Sequence, residues 1–154
     1  MRNFCLLLIC FLLAACAPAS SQAPIIEEAG MSRQELRTEL AKIAGAQITE
    51  GDSLVVSFPT GTLFATGSAL PMPGGIDPLD ALATVMKQSG LSWSLKVRAA
   101  SGEGELYDSE LAAIRAKILR TYFKNSGLNT QLISIIALAE PGAPLELKPI
   151  SAGD

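Results

Sequence analysis

Apolar and polar positions along the chain change period several times, and each change marks an element. Ser32-Arg33-Gln34-Glu35 has the Ser-x-x-Glu form of a capping box. Leu36, Leu40 and Ile43 follow at spacings of four and three, one face of a helix ending near Gly45. Asp52 to Phe58 (DSLVVSF) is rich in apolar and β-branched residues and is closed by Pro59, which predicts a strand. Thr60 to Ile76 is dense in Gly and Pro and predicts a long loop. In Asp77-Pro78-Leu79-Asp80, Asp77 reads as an N-cap and Pro78 as a first helical residue. Leu79, Leu82, Ala83 and Met86 give that helix its buried stripe, and Gly90 stops it.

From Ser92 to Ala99 the alternation is strict. Trp93, Leu95, Val97 and Ala99 point one way while Ser94, Lys96 and Arg98 point the other, the pattern of a half-buried strand. After a small loop (Ala100 to Leu106), Asp108 or Ser109 caps a helix to about Asn125, with Leu111, Ile114, Ile118 and Tyr122 as its apolar stripe. Lys117, Arg120 and Lys124 fall away from that stripe and read as a solvated face favoured by the helix dipole. Gln131 to Ala139 (QLISIIALA) reads as a buried strand, and Leu145 to Lys148 as a short edge strand in a Pro-rich tail. Two βαβ units sharing one sheet give an α/β (α+β) two-layer sandwich over residues 31–141, with an extra N-terminal helix and a tail at 142–154.

The front of the chain follows another logic. Residues 1–16 read MRNFCLLLICFLLAAC: a basic start at Arg2, an apolar run from Phe4 to Leu13, and small residues before Cys16. The run is shorter than the ~20 residues a bilayer-spanning helix needs, and it suits a secretory signal. Leu13-Ala14-Ala15-Cys16 resembles the bacterial lipobox, which implies cleavage before Cys16 and lipid on its sulfur and new amino group. Ala17, rather than Asp, implies by the same resemblance sorting to the outer membrane, with the domain in the periplasm. The stretch to Gly30 (APASSQAPIIEEAG) lacks periodicity and reads as a flexible tether, so residues 16–30 form a lipidated linker.

Composition then removes whole classes of chemistry. The chain has 154 residues, no histidine and three cysteines, all within the first sixteen positions. A Ser-His-Asp or Cys-His arrangement cannot be built, nor can a His-ligated metal site. Cleavage before Cys16 would leave one cysteine, with its sulfur occupied by lipid, so no disulfide and no thiolate chemistry follow. The carboxylates form no paired constellation and Ser-x-x-Lys is absent, so neither an enzyme nor a cofactor is expected. A net charge of −3 gives no basic field for nucleic acid.

Several short motifs, taken in order, point to one family. Leu63-Phe64-Ala65-Thr66-Gly67-Ser68-Ala69 matches a run of Leu-Phe, two variable residues and Gly-Ser-Ala. Leu111-Ala112-Ala113-Ile114-Arg115-Ala116 matches Leu-Ser-x-x-Arg-Ala, with Ala112 for Ser. Tyr122-Phe123 with Ser126-Gly127-Leu128 matches the following helix end and turn, and Glu140-Pro141 is similar to the Gly-Glu-x-x-Pro that follows the third strand. In this order they resemble the OmpA-like C-terminal domain, from Leu54 to about Pro141.

That resemblance implies binding of peptidoglycan. In the family, a loop aspartate and the helix arginine receive the zwitterionic end of diaminopimelate, the guanidinium taking the carboxylate and the aspartate the ammonium. Arg115 holds the matching arginine position; the alternative reading is a boundary arginine paired with Asp108 or Glu110. The family's Gly-His-Thr-Asp loop stands here as Ala99-Ala100-Ser101-Gly102, so Glu103 or Glu105 would have to supply the carboxylate. This degenerate form is similar to small lipoproteins of the DotK (IcmN) type, found in the outer-membrane complex of type IVB (Dot/Icm-type) secretion systems. The similarity lies in residues 32–88. It implies docking to other subunits of an envelope complex, with autonomous wall tethering as the alternative.

Overall fold

The structure, a computed structural model, describes residues 30–150. The signal-like segment, Cys16 with its predicted lipid, and most of the tether lie outside the described residues.

Helix α1 (Arg33–Ala41) opens with the expected box: the Glu35 amide donates to Ser32 Oγ at 3.3 Å and the Ser32 amide to Glu35 Oε2 at 2.9 Å. Next come strands β1 (Gln47–Glu50) and β2 (Leu54–Phe58), helix α2 (Pro73–Ser89) and strand β3 (Ser92–Arg98). Helix α3 (Glu105–Asn125) leads through a single 3-10 turn (Thr130–Leu132) to β4 (Ile133–Leu138) and β5 (Leu145–Ile150). The strands make one sheet in the order β1-β2-β5-β3-β4, parallel between β3 and β4 and antiparallel elsewhere. This is the two-layer α/β sandwich expected from the sequence. Because β2 and β3 both run antiparallel to β5, they are parallel to each other, as a βαβ unit requires.

Several details depart from the expectation, among them the start of α3, which follows Gly104 rather than Asp108 or Ser109. Strand β5 is not at an edge: it lies between β2 and β3, with Leu145 and Leu147 fully buried. Strand β4, expected to be buried, is the edge; only its Ile133 is buried, and Ile136 is 47% exposed. Strand β1 was not foreseen, because Gln47-Ile48-Thr49-Glu50 is short, polar and mostly exposed. Helix α2 begins four residues earlier than Asp77-Pro78, with Pro73 at its N-terminus, and Pro78 sits in its second turn at the loss of one helical hydrogen bond.

The helix faces follow burial. Leu79, Leu82, Ala83 and Met86 of α2 are buried as expected, and Gly90 ends that helix at φ 65°. In α3 the buried side is Leu111, Ala112, Arg115, Leu119 and Phe123, one residue out of phase with the predicted stripe, and Ile114 is 49% exposed. Lys117, Arg120 and Lys124 are solvated. The Tyr122 hydroxyl donates to the Asp80 carboxylate and ties α3 to α2; burial and that carboxylate push the phenol's pKa up.

The two ends of the strands differ. At one end Met31, just before α1, borders a hollow with Leu54, Leu91 and Pro149. At the other lie the carboxyl ends of β2, β3 and β4, the side on which open α/β sheets carry their sites. Among the described residues no helix is long and apolar enough to cross a membrane.

Candidate functional site

The loop after β2 is seated first. Leu63 and Phe64 are buried, the Met72 amide donates to the Leu63 carbonyl at 2.9 Å, and Phe64 bridges to Pro71. Gly75, in the first turn of α2, lies so close that a Cβ there would sit 2.6 Å from the Leu63 carbonyl oxygen. Only glycine permits this approach, which fixes the following residues over the carboxyl end of the sheet.

Arg115 reaches up from α3 into that loop. It is 4% exposed, and its fork is satisfied by main-chain oxygens: Nε donates to Ser68 at 2.8 Å, one terminal nitrogen to Arg98 at 3.1 Å, the other to Ala65 at 3.1 Å. Its guanidinium carbon stands 4.7 Å from the centre of the Phe64 ring, a cation–π distance. The Leu-Phe-x-x-Gly-Ser-Ala run and the helix arginine, nearly fifty residues apart, therefore meet at one point. Among the described residues Arg115 forms no ion pair, so neither Asp108 nor Glu110 is the partner that one reading expected. Burial lowers its pKa from the ordinary value, and the more distant Tyr107 and Asp108 oppose that.

Asp108 serves the loop after β3 instead. Its Oδ1 accepts from the Ser101 amide at 2.7 Å and from the Ser101 hydroxyl at 2.6 Å, and these bonds hold its pKa below the usual carboxylate value. Arg98, at the end of β3, donates to Glu140 at 2.8 Å and Glu146 at 3.0 Å; the Glu140 bond is the largest influence raising its pKa. A Cβ at Gly142 would lie 2.9 Å from Arg98 Cδ, so the loop after β4 closes onto that side chain.

Between these pieces lies a cleft of about 170 Å³. Arg98, Arg115, Thr60, Thr66 and Ser101 are its charged and hydroxyl-bearing walls, and the remainder is Gly, Ala, Pro or larger apolar side chains. No carboxylate lines it among the described residues. Glu103 and Glu105, proposed from sequence as substitute acids, are exposed and stand outside the cleft. Arg115 is thus at the site and both glutamates are not.

Sequence reasoning passed over Ser101, Thr60, Thr66 and Arg98. The available signal was positional: Thr60, Arg98 and Ser101 lie at or just beyond the carboxyl end of β2 or β3, and Thr66 lies within the Leu63–Ala69 run. Among the described residues no three metal-ligating side chains converge. The chemistry on offer is recognition of an anionic or hydrogen-bonding group.

No family model matches the chain, and no curated protein matches it. Solved structures do. A MotB-like protein from Desulfovibrio vulgaris is similar at a TM-score of 0.62 and 18% identity, over 75% of this chain and 89% of that one. The cell wall anchor of the T6SS from Pseudomonas aeruginosa is similar at 0.61 and 15%, over 78% and 99%. The periplasmic domain of Helicobacter pylori MotB is similar at 0.57 and 16%, over 73% and 83%. What this chain shares with them is the sandwich itself, the OmpA-like fold that its sequence motifs imply.

Proposed function

We propose that this chain is an outer-membrane lipoprotein, anchored through Cys16, whose OmpA-like domain is a structural, docking subunit of an envelope-spanning complex. One observation carries the reading: Arg115 spends three of its donors on the chain's own carbonyls, beside a cleft without a carboxylate. A domain with half of a wall-binding site is better suited to hold a place in an assembly than to grip the wall alone. The lipobox-like Leu13 to Cys16 and the tether after it support the anchor. The occurrence of the fold in a periplasmic domain and in a cell wall anchor supports a place beside the wall. The role is binding rather than catalysis. The assembly we assign is the outer-membrane core of a type IVB secretion system, on the similarity of residues 32–88 to lipoproteins of the DotK (IcmN) type.

Extraction in mild detergent followed by sizing tests the reading. The protein should travel in a large assembly, and a monodisperse monomer throughout would overturn it. Labelling with palmitate tests the anchor: incorporation should vanish in Cys16→Ser, and unchanged labelling would refute it. Arg115, at the position matching the family's arginine, favours a second reading, an autonomous peptidoglycan tether. Sedimentation of the wild-type protein with insoluble peptidoglycan, lost in Arg115→Lys, would establish that alternative.

A further inference from the structure

The end of the sheet opposite the cleft carries two adjoining hollows. The first is bordered by Met31, Leu54, Leu91 and Pro149, and its two charged residues, Arg33 and Asp52, are of opposite sign. The second, of about 220 Å³, lies between the end of α2, the turn after α3 and the start of β4. Leu91 belongs to both walls, so the hollows meet there. Leu128, Leu132 and Ile133 make the second one apolar, and Leu132 is 39% exposed. Lys87 is its only charged residue and forms no ion pair among the described residues. A Cβ at Gly127, on the same wall, would stand 3.3 Å from Lys87 Nζ, which places the ammonium at this hollow.

Trp93 is also part of the second wall. Its indole nitrogen is the one buried side-chain polar atom without a hydrogen-bond partner among the described residues. A buried donor of this kind calls for an acceptor. A hydrocarbon chain has none, whereas an extended peptide carries a carbonyl at every residue. The sequence holds a suitable peptide close by. Ile25-Ile26-Glu27-Glu28 stands outside the described residues, and Ile26 precedes Met31 by five positions, a reach of at most ~18 Å. Two branched apolar side chains suit the apolar wall, and two carboxylates suit Lys87. So short a connection keeps the segment at an effective concentration of order mM, so a weak contact suffices.

We infer that Ile25 and Ile26 seat in the hollow between Leu91 and Leu132, with Glu27 and Glu28 beside Lys87, and so hold this stretch against the domain. With the anchor at Cys16 proposed above, residues 17–24 alone would then span the gap to the membrane. That limits the gap to ~28 Å, against ~50 Å for residues 17–30. The seating itself does not depend on the anchor.

Trp93 is the chain's only tryptophan, so its indole N–H gives a single resonance. The full chain in detergent is compared with Ile25→Ser/Ile26→Ser through that resonance and through the methyl groups of Leu91 and Leu132. These reporters should shift in the variant, and the indole proton should exchange with water at least ~10-fold faster. Identical spectra and exchange would overturn the inference. Lys87 is exposed, so Lys87→Glu spares the core. It should move the reporters the same way, and adding Glu27→Lys/Glu28→Lys should bring them back. Failure to return would count against the pairing. Two other occupants have signatures of their own. Wild-type reporters that move with protein concentration would assign the hollow to a second copy. Reporters that follow the detergent's acyl length but not the isoleucines would assign it to a hydrocarbon chain. Either result would refute the seating of Ile25 and Ile26.

Discussion

Arg98 and Arg115 border one cleft and are held in opposite ways. Around Arg98, on the polar face of the sheet, charge is matched by charge, and Glu140 is 48% exposed. Such a pair is screened by water and worth little on its own. Arg115 is nearly buried, and the balance comes from three main-chain dipoles and an aromatic face. Those oxygens belong to the loop after β2 and to the end of β3, so one side chain joins both to α3. A partly exposed ion pair is a local convenience, whereas a buried cation among carbonyls is a joint on which several segments depend.

Substitution should expose the difference most clearly at Arg115. Arg115→Ala leaves three carbonyls without their donors and should cost about 3–5 kcal/mol in urea unfolding. Arg115→Lys keeps the charge but not the planar fork, and should recover only part of that loss. A Lys variant as stable as wild type would erase the contrast. Gly75→Ala drives a methyl group into the Leu63 backbone and should cost about 2–3 kcal/mol by unseating the same loop. Its neighbour Gly74 has open space at that position, so Gly74→Ala serves as the control. Arg98→Gln should cost only about 1 kcal/mol, and its double-mutant coupling with Glu140→Gln should be smaller still.

The smallest effect is one of pH. Ser101 holds the Asp108 carboxylate below its ordinary value of 3.8, so the stability it lends is fully present above about that pH. It is lost as pH falls through the lower folded-state value. The gap in unfolding midpoint between wild type and Ser101→Ala should be constant near neutrality and should narrow below pH 3.8. A gap that widens in acid would contradict the assignment.

Local order was legible in part where chain neighbours decide it, although the caps read at Asp77 and at Asp108 or Ser109 both fall inside helices. The Ser32–Glu35 box, the β3 alternation and the Gly90 stop are short-range signals, and all three stand as read. Position in the sheet was not legible, because it depends on partners far away in sequence. The more hydrophobic QLISIIALA became the edge, and the Pro-bounded 145–150 segment, with its charged Glu146 and Lys148, entered the centre. The phase of α3 was misread for a chemical reason. Arginine counts as polar in any periodic pattern, so the buried side was sought through Ile114 rather than through Arg115. The most informative residue of the site thus concealed the face that presents it. Glu103 and Glu105 show the converse: acids near the right place in sequence, directed to solvent by the start of α3.

The placement of the chain's entry and the cleft has a mechanical consequence. Met31 meets the sheet beside Leu54, Leu91 and Pro149, while the cleft lies beyond Phe58, Arg98 and Leu145. A load applied between the two would run along the strands, over the ~20 Å length of β3. In that direction the bonds between β2, β5 and β3 lie across the pull and share it in shear, instead of opening one after another from an end. Domains of this build should rupture under tension at a higher force when pulled from entry to cleft than when β4 is peeled from the sheet's edge.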